Sequence, residues 1–159
     1  VKTLKKRFEI YKNAKSEAEK RDVLMGEGIS LVRDMFVAET MKDAKKLAGE
    51  QMVDYMRWVC HWRGLSNHMD PDEELPQTKG KLDLLNYEFL HKRNMLFGTP
   101  DYVVEKIKEL KSELNLQNLQ VWSNMPGVKH EDAMRSIKLF NDEVIPKINS
   151  LKTEVRQAS

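Results

Sequence analysis

The segment from Gly98 to Ile148, GTPDYVVEKIKELKSELNLQNLQVWSNMPGVKHEDAMRSIKLFNDEVIPKI, decides the fold, because it encodes a helix, a strand and a second helix with marked boundaries. Thr99 is a favoured helix N-cap, and Pro100 suits the first helical position, where a backbone N–H has no partner to lose. The helix is then predicted from apolar residues at helical spacing, Val103, Ile107, Leu110 and Leu114.

The strand and second helix of this segment follow directly. Leu119–Asn124 alternates in polarity as a strand does, and Pro126-Gly127 ends it. A second apolar helical stripe comprises Ala133, Ile137, Phe140, Val144 and Ile148. Helices and strands that alternate at these lengths predict a parallel sheet.

The upstream part continues the same alternation. The spacing predicts a helix over residues 2–21, a strand over Ile29–Ala38 and a helix that begins at the Thr40 cap and ends near Arg63. A further helix is predicted over Leu84–Asn94, followed by a short penultimate strand at residues 95–97. Residues 64–82 are rich in Pro, Gly, Asp and Asn, which predicts one long loop or insertion, either a functional lid or a linker.

Five motifs together carry a resemblance to a known family. They are Leu31–Thr40, which ends in Val-Ala-Glu-Thr, Met56–Gly64, Gly98–Asp101, Val121–Gly127 and Phe140–Pro146. In this order and spacing the chain resembles the C-terminal portion of the luciferase-like flavin-dependent monooxygenases of the bacterial luciferase superfamily. The resemblance spans most of residues 1–148 and implies a branch of the (β/α)8, or TIM, barrels.

Chain length limits what this resemblance implies. A closed barrel takes about 250 residues, and this chain has 159. We therefore expect an α/β fold that forms the C-terminal part, about three βα units, of a TIM barrel, helix-rich and with parallel strands. Residues 1–159 are expected to form a single partial domain that needs either the missing N-terminal barrel half or self-association to cover its sheet edges.

Composition excludes several classes of function. The 27 basic and 25 acidic residues are interspersed and give a net charge of +2, which is unlike the concentrated basic face of a nucleic-acid-binding protein. No apolar run is long enough to span a membrane. A single cysteine, Cys60, favours a cytoplasmic location. The spacing of Cys60, His61 and His68 matches no metal-binding pattern, so no metal site is predicted.

Candidate site residues lie where strands end, because barrel enzymes place their chemistry on the loops that follow. The three strand ends are Val37–Thr40, Phe97–Thr99 and Trp122–Gly127. Alternation turns Trp122 and Asn124 away from the helix layer and toward the barrel mouth, where an indole and an amide suit a cofactor or substrate pocket. The alternative is that Trp122 only fills the barrel interior.

Two charged residues stand in the middle of the first strand. Arg33 and Asp34 are adjacent and therefore point to opposite sheet faces. Burial of either charge demands a partner. We favour a structural ion pair with a neighbouring element over a catalytic role.

The resemblance implies a specific chemistry. The parent enzyme would use reduced FMN to activate O₂ and oxidise a small organic substrate, and it would be soluble and free of nucleic acid and membrane. A deazaflavin (F420)-dependent oxidoreductase of the same barrel superfamily is the nearest alternative, and a non-enzymatic partial-barrel remnant that self-associates is the other. The motifs identify no catalytic residue, and only Trp122 and Asn124 are pocket candidates.

Overall fold

The computed structural model of the chain describes residues 1–64, 69, 85–93 and 95–150. The predicted long loop, residues 64–82, therefore lies almost wholly outside the described residues. The strands are β1 (Ser30–Val37), β2 (Met95–Gly98) and β3 (Asn118–Trp122). The helices are α1 (Lys2–Glu19), α2 (Met41–Ala44), α3 (Glu50–Arg63), α4 (Tyr87–His91), α5 (Pro100–Leu114) and α6 (His130–Leu139).

Two of the helices contain π turns. The turn Lys45–Gly49 joins α2 to α3 without a break in the helical path. The turn Phe140–Val144 extends α6, and the chain stays helical to residue 150. Each π turn adds a residue to the helical repeat and so changes which side chains face the core after it.

Local signals set the helix boundaries that were predicted. Thr40 Oγ1 accepts a hydrogen bond from the Asp43 N–H at 3.0 Å, which caps α2. Thr99 Oγ1 accepts one from the Tyr102 N–H at 3.3 Å, which caps α5. These bonds satisfy N–H groups that the first turn of a helix leaves free. The helix predicted over Leu84–Asn94 is shorter in the described part, where α4 covers Tyr87–His91.

The three strands are parallel, and their spatial order is β2-β1-β3. The parallel sheet is the one that the sequence predicts. However, β2 does not lie between its sequence neighbours, as consecutive barrel units would place it. It pairs with the second half of β1, where Asp34 lies opposite Met95 and Val37 opposite Gly98. The first half of β1 pairs with β3, from Ser30 opposite Asn118 to Asp34 opposite Trp122.

Helices cover both faces of this sheet. On one side, which we call the α3 face, Phe36 and Phe97 pack with residues of α3 such as Met52 and Met56, and with Leu90 of α4. On the other side, the α5 face, the buried residues belong to the strands, α5, α1 and the segment that follows β3: Met35, Val37, Leu96, Val103, Ile107 and Val144 in one cluster and Phe8, Leu31, Leu110 and Leu114 in another.

Most of the apolar surface on both faces of the sheet is therefore covered by helices. Burying Phe36 and Phe97 beneath α3 removes their rings from water, which is the largest favourable contribution available at this position. Within the part of the chain that the structure describes, the α3 face is open next to β3, where Val32 and Trp122 are 50% and 44% exposed.

Candidate functional site

Trp122 lies at the end of β3 on the face opposite Leu119 and Val121, as alternation predicts, but this face is packed by α3 and is not free of helices. Leu119 and Val121 point to the α5 face and pack against its apolar clusters. Trp122 points the other way and meets Tyr55 of α3 edge-on, with 5.7 Å between the ring centroids. Tyr55 in turn stacks with Trp58 at 6.3 Å. The indole is thus one wall of an open aromatic surface and not an enclosed plug.

Asn124 follows two residues later in the exposed connection between β3 and α6. In the same connection Met125 is buried beneath α3, which fixes the path of the chain around Asn124. Trp122 and Asn124 therefore share one end of the sheet. Whether they line one pocket stays a prediction.

The carboxyl of Asp34 lies beside this aromatic surface. Asp34 is the register partner of Trp122 on one side and of Met95 on the other, so it occupies the centre of the α3 face. Burial raises the pKa of this carboxyl to about 6, and the nearby charge of Arg33 opposes the increase only in part. A carboxyl that titrates near neutrality can donate or accept a proton under ordinary conditions.

Arg33 points to the opposite face, as adjacent strand residues must. Its Nη1 donates a hydrogen bond to the backbone O of Val32 at 2.8 Å. Burial lowers the pKa of the guanidinium, and Asp34 opposes that decrease. Among the described residues, the predicted ion pair with a neighbouring element is absent. Arg33 and Asp34 instead interact with nearby backbone groups and attract each other electrostatically.

A separate cavity of about 280 Å³ opens at the C-terminal end of β1. After β1 the chain turns toward the α3 face, whereas after the neighbouring β3 it reaches α6 on the α5 face. In parallel sheets, connections that diverge in this way open a crevice at the strand ends. The cavity is lined by Phe36, Val37, Ala38, Glu39, Asp43 and Leu47 on one side and by Asp132, Arg135, Ser136 and Leu139 on the other.

Ser136 fixes the inner wall of this cavity. The N–H of Ala38 donates to Gly98 O on β2 at 2.9 Å, so the N–H of Val37 points to the other edge of β1, beyond the end of β3. There the buried hydroxyl of Ser136 accepts it at 2.7 Å. A side chain of α6 thus replaces the missing strand partner and ties α6 to the end of β1.

The charges at the mouth of the cavity are partly paired. Arg135 Nη1 lies 3.7 Å from Asp132 Oδ1, and Thr40 Oγ1 donates to Asp43 Oδ2 at 2.7 Å. The sequence identified the strand end Val37–Thr40 but not its facing wall, since Asp132 and Arg135 resemble ordinary charges on a helix surface. A small polar residue in the packed helix, Ser136, is the one local signal that was present.

The residues considered for a metal do not converge in the described part of the chain. Cys60 is buried in α3, where burial raises the pKa of its thiol. His61 is exposed and meets Trp62 edge-on at 5.0 Å. No three acidic, histidine or cysteine residues form a potential metal-binding group among the residues described, and His68 lies outside them. Within the same residues, no helix is both apolar and long enough to cross a bilayer.

Two of the solved structures that are similar to this chain are monooxygenases. The monooxygenase RslO1 from Streptomyces bottropensis superimposes with a TM-score of 0.62 at 19% identity, over 89% of this chain and 37% of its own. The other is the oxygenating constituent of 3,6-diketocamphane monooxygenase from the CAM plasmid of Pseudomonas putida, a type II Baeyer-Villiger monooxygenase in complex with FMN. It gives a TM-score of 0.57 at 25% identity, over 91% of this chain and 39% of its own.

These similarities confirm the resemblance to the luciferase-like flavin-dependent monooxygenases and the partial-barrel fold that it implied. The chain spans less than two-fifths of the length of either structure. No protein-family model and no curated protein matches the chain.

Proposed function

We propose that this chain is part of a luciferase-like monooxygenase that uses reduced FMN and O₂ to oxidise a small organic substrate. The observation that carries the proposal is the similarity to the FMN-bound oxygenating constituent over 91% of the chain. A cytoplasmic location, which the single cysteine favours, belongs to the same proposal.

The residues described here fit only one part of a flavin site. Trp122 and Tyr55 offer a flat apolar wall that suits an isoalloxazine ring. When bound, the flavin supplies the oxygen chemistry. This chain would contribute the wall, the neighbouring amide of Asn124, and a carboxyl at Asp34 that can hold a proton near the ring.

Nuclear magnetic resonance of the indole N–H groups tests this assignment. Addition of FMN should shift the signal of Trp122 and leave that of Trp62, which is 71% exposed and packs against His61, unchanged. A Trp122→Ala variant should lose most of the FMN affinity, and Trp62→Ala should keep it. Equal shifts of the Trp58, Trp62 and Trp122 signals, or no shift of any of them, would contradict the proposal for this chain.

The same titration with F420 tests the deazaflavin alternative. One of the similar structures is in complex with FMN, so we expect the Trp122 signal to shift at a lower concentration of FMN than of F420. A preference for F420 would replace the monooxygenase proposal with the oxidoreductase one.

The non-enzymatic alternative also has an observation in its favour. The chain covers only 37% and 39% of the two similar structures, whereas barrel active sites draw residues from several strand ends. On this view the 159 residues are a folded remnant that associates with other chains and has no complete flavin site.

A further inference from the structure

The cavity at the C-terminal end of β1 has no part in the proposed function. The described residues that line it do not include Tyr55, Trp122, Asn124 or Asp34. Its walls come from β1 and the connection after it, from residues 41–49, and from α6. Because β1 already has a strand on each side, a strand of a longer chain would join the sheet beyond β2 or β3. The cavity therefore forms within this chain and away from the flavin wall.

One part of the cavity lining is apolar. Phe36 is buried in the cluster beneath α3, and Leu47 packs against the same cluster. Leu139 lines the other side and packs against the cluster on the α5 face. The volume of about 280 Å³ is just below the usual range for ligand sites, about 300–1,000 Å³. One aromatic ring or a short alkyl chain suits this space.

The charged part of the lining is mostly acidic. Glu39, Asp43 and Asp132 are acidic, and Arg135 is the one basic residue among the described residues that line the cavity. The side chain of Arg135 is 62% exposed, whereas that of Asp132 is 14% exposed. Their closest charged atoms are 3.7 Å apart, which is longer than a hydrogen bond. The carboxylate of Asp132 can therefore accept a hydrogen bond from a further donor.

A buried hydroxyl on the inner wall has the same unused capacity. Ser136 is 1% exposed and lines the cavity. Its oxygen accepts a hydrogen bond from the Val37 N–H, and its own hydrogen is directed to Met35 Sδ at 3.8 Å. A hydroxyl oxygen has two lone pairs, so one of them has no partner within the described part of the chain. Because buried polar groups are normally paired, this acceptor indicates a hydrogen-bond donor in the cavity.

We propose that this cavity binds a small organic ammonium ion, with its apolar body against Phe36 and Leu47 and its charged group at Asp132 and Ser136. An ammonium group carries a positive charge and three donors. The charge matches the excess of acidic side chains, and the donors match the two unused acceptors. An anion of the same shape would be repelled by the carboxylates, and an alcohol could donate to only one acceptor.

Nuclear magnetic resonance of the full chain without flavin tests the proposal with three probes of similar shape, phenethylammonium, 2-phenylethanol and phenylacetate. Phenethylammonium should shift the backbone N–H signals of Val37 and Ser136. Its Kd should be lower than that of either other probe by about tenfold or more, because hydrogen bonds that involve charged groups are stronger than neutral ones.

Three substitutions test which charges bind the ammonium group. Asp132→Asn keeps the size of the side chain and should weaken phenethylammonium binding by about tenfold. Glu131→Gln is the matched control, because it removes the same charge from an exposed neighbour that does not line the cavity, and it should leave the Kd unchanged. Arg135→Gln should tighten binding, since it removes a repelling charge and frees Asp132 from its ion pair. N–H signals remote from the cavity establish that each variant is folded.

Three results would overturn this inference. One is phenethylammonium that shifts neither the Val37 nor the Ser136 signal. Another is 2-phenylethanol or phenylacetate that binds as tightly as phenethylammonium. The third is Asp132→Asn that binds phenethylammonium as tightly as wild type. If Asp132→Asn does not fold, Arg135→Gln decides the matter, and an affinity no higher than that of wild type would contradict the proposal. Flavin is absent throughout, so the outcome is separate from that of the proposed function.

Discussion

A substitution of Trp122 can distinguish an effect on FMN binding from an effect on the stability of the chain. Truncation of a fully buried tryptophan costs about 3–5 kcal/mol, but this indole is 44% exposed. We expect Trp122→Ala to lower the free energy of unfolding by roughly half of that amount and to reduce FMN affinity by at least tenfold.

Thermal denaturation and FMN titration on the same preparation measure both effects. Trp62→Ala serves as the control, because it removes an indole that is 71% exposed and packs against His61. A large loss of stability with unchanged FMN binding would mean that Trp122 is only a packing residue.

Asp34 should make the stability of the fold depend on pH. Its pKa is raised to about 6 in the folded chain, above its ordinary value. The unfolded chain therefore loses this proton first, so the stabilising contribution is complete below about pH 4 and is lost as the pH rises through about 6. Asp34→Asn removes the penalty and should stabilise the chain at pH 7.5, by at most about 3 kcal/mol, since one pKa unit corresponds to about 1.4 kcal/mol.

Chemical denaturation at pH 4.5 and pH 7.5 measures this gain. Asp22→Asn, at an exposed position, should change little at either pH. If Asp34→Asn gives the same change at both pH values, the carboxyl does not titrate as burial predicts.

At the level of elements, the connection between α1 and β1 is held against the end of α5. Asn115 ends α5 in the left-handed conformation, and its Nδ2 donates to Met25 O at 2.8 Å. Gly26 lies directly beneath this turn with φ of 78°, and an added Cβ would lie 2.3 Å from Asn115 O and 2.7 Å from Leu114 O. These contacts are with backbone atoms, which cannot move aside without disturbing α5.

Gly26→Ala should therefore destabilise the chain by more than about 3 kcal/mol, as large effects arise from strain at special backbone positions. Gly28→Ala is a matched control. Gly28 has φ of 76°, so it shares the conformational penalty, but an added Cβ meets only side-chain ends, Lys15 Nζ at 3.0 Å and Tyr11 Oη at 3.6 Å. Unfolding by urea compares the two, and equal losses would show that the contact with α5 is unimportant.

Most elements were predictable because their signals are local. The caps at Thr40 and Thr99 and the alternation in β3 gave boundaries within two residues of the observed ones. Alternation also placed Trp122 opposite Leu119 and Val121 and put Arg33 and Asp34 on opposite faces, but it did not predict that the face of Trp122 is covered by α3. The position of β2 beyond β1 was not predictable, because strand order depends on contacts between residues distant in sequence.

The site was predictable only in part for the same reason. The strand ends could be located, but the approach of Tyr55 to Trp122 and of Ser136 to Val37 depends on how separate helices pack. The packing of α3 over Phe36 and Phe97 was not predicted, because in a barrel this sheet face would line the interior.

For the molecule as a whole, we expect no monooxygenase turnover by the isolated chain. The three strands of its described residues amount to less than half of an eight-stranded barrel, and barrel active sites draw residues from several strand ends. The measurement is product formation with reduced FMN and O₂, compared with free reduced FMN alone. Turnover above that background would show that three strands are enough for a working site.

The central place of β1 in the sheet has a consequence for how the chain is made. β1 leaves the ribosome before β3, and its first half must wait for β3, since Ser30 pairs with Asn118. Contacts between such distant residues form slowly. During synthesis the aliphatic side chains of β1 and its open edge are therefore exposed until the chain beyond Trp122 has emerged, and a chaperone that binds extended apolar segments would find its target there.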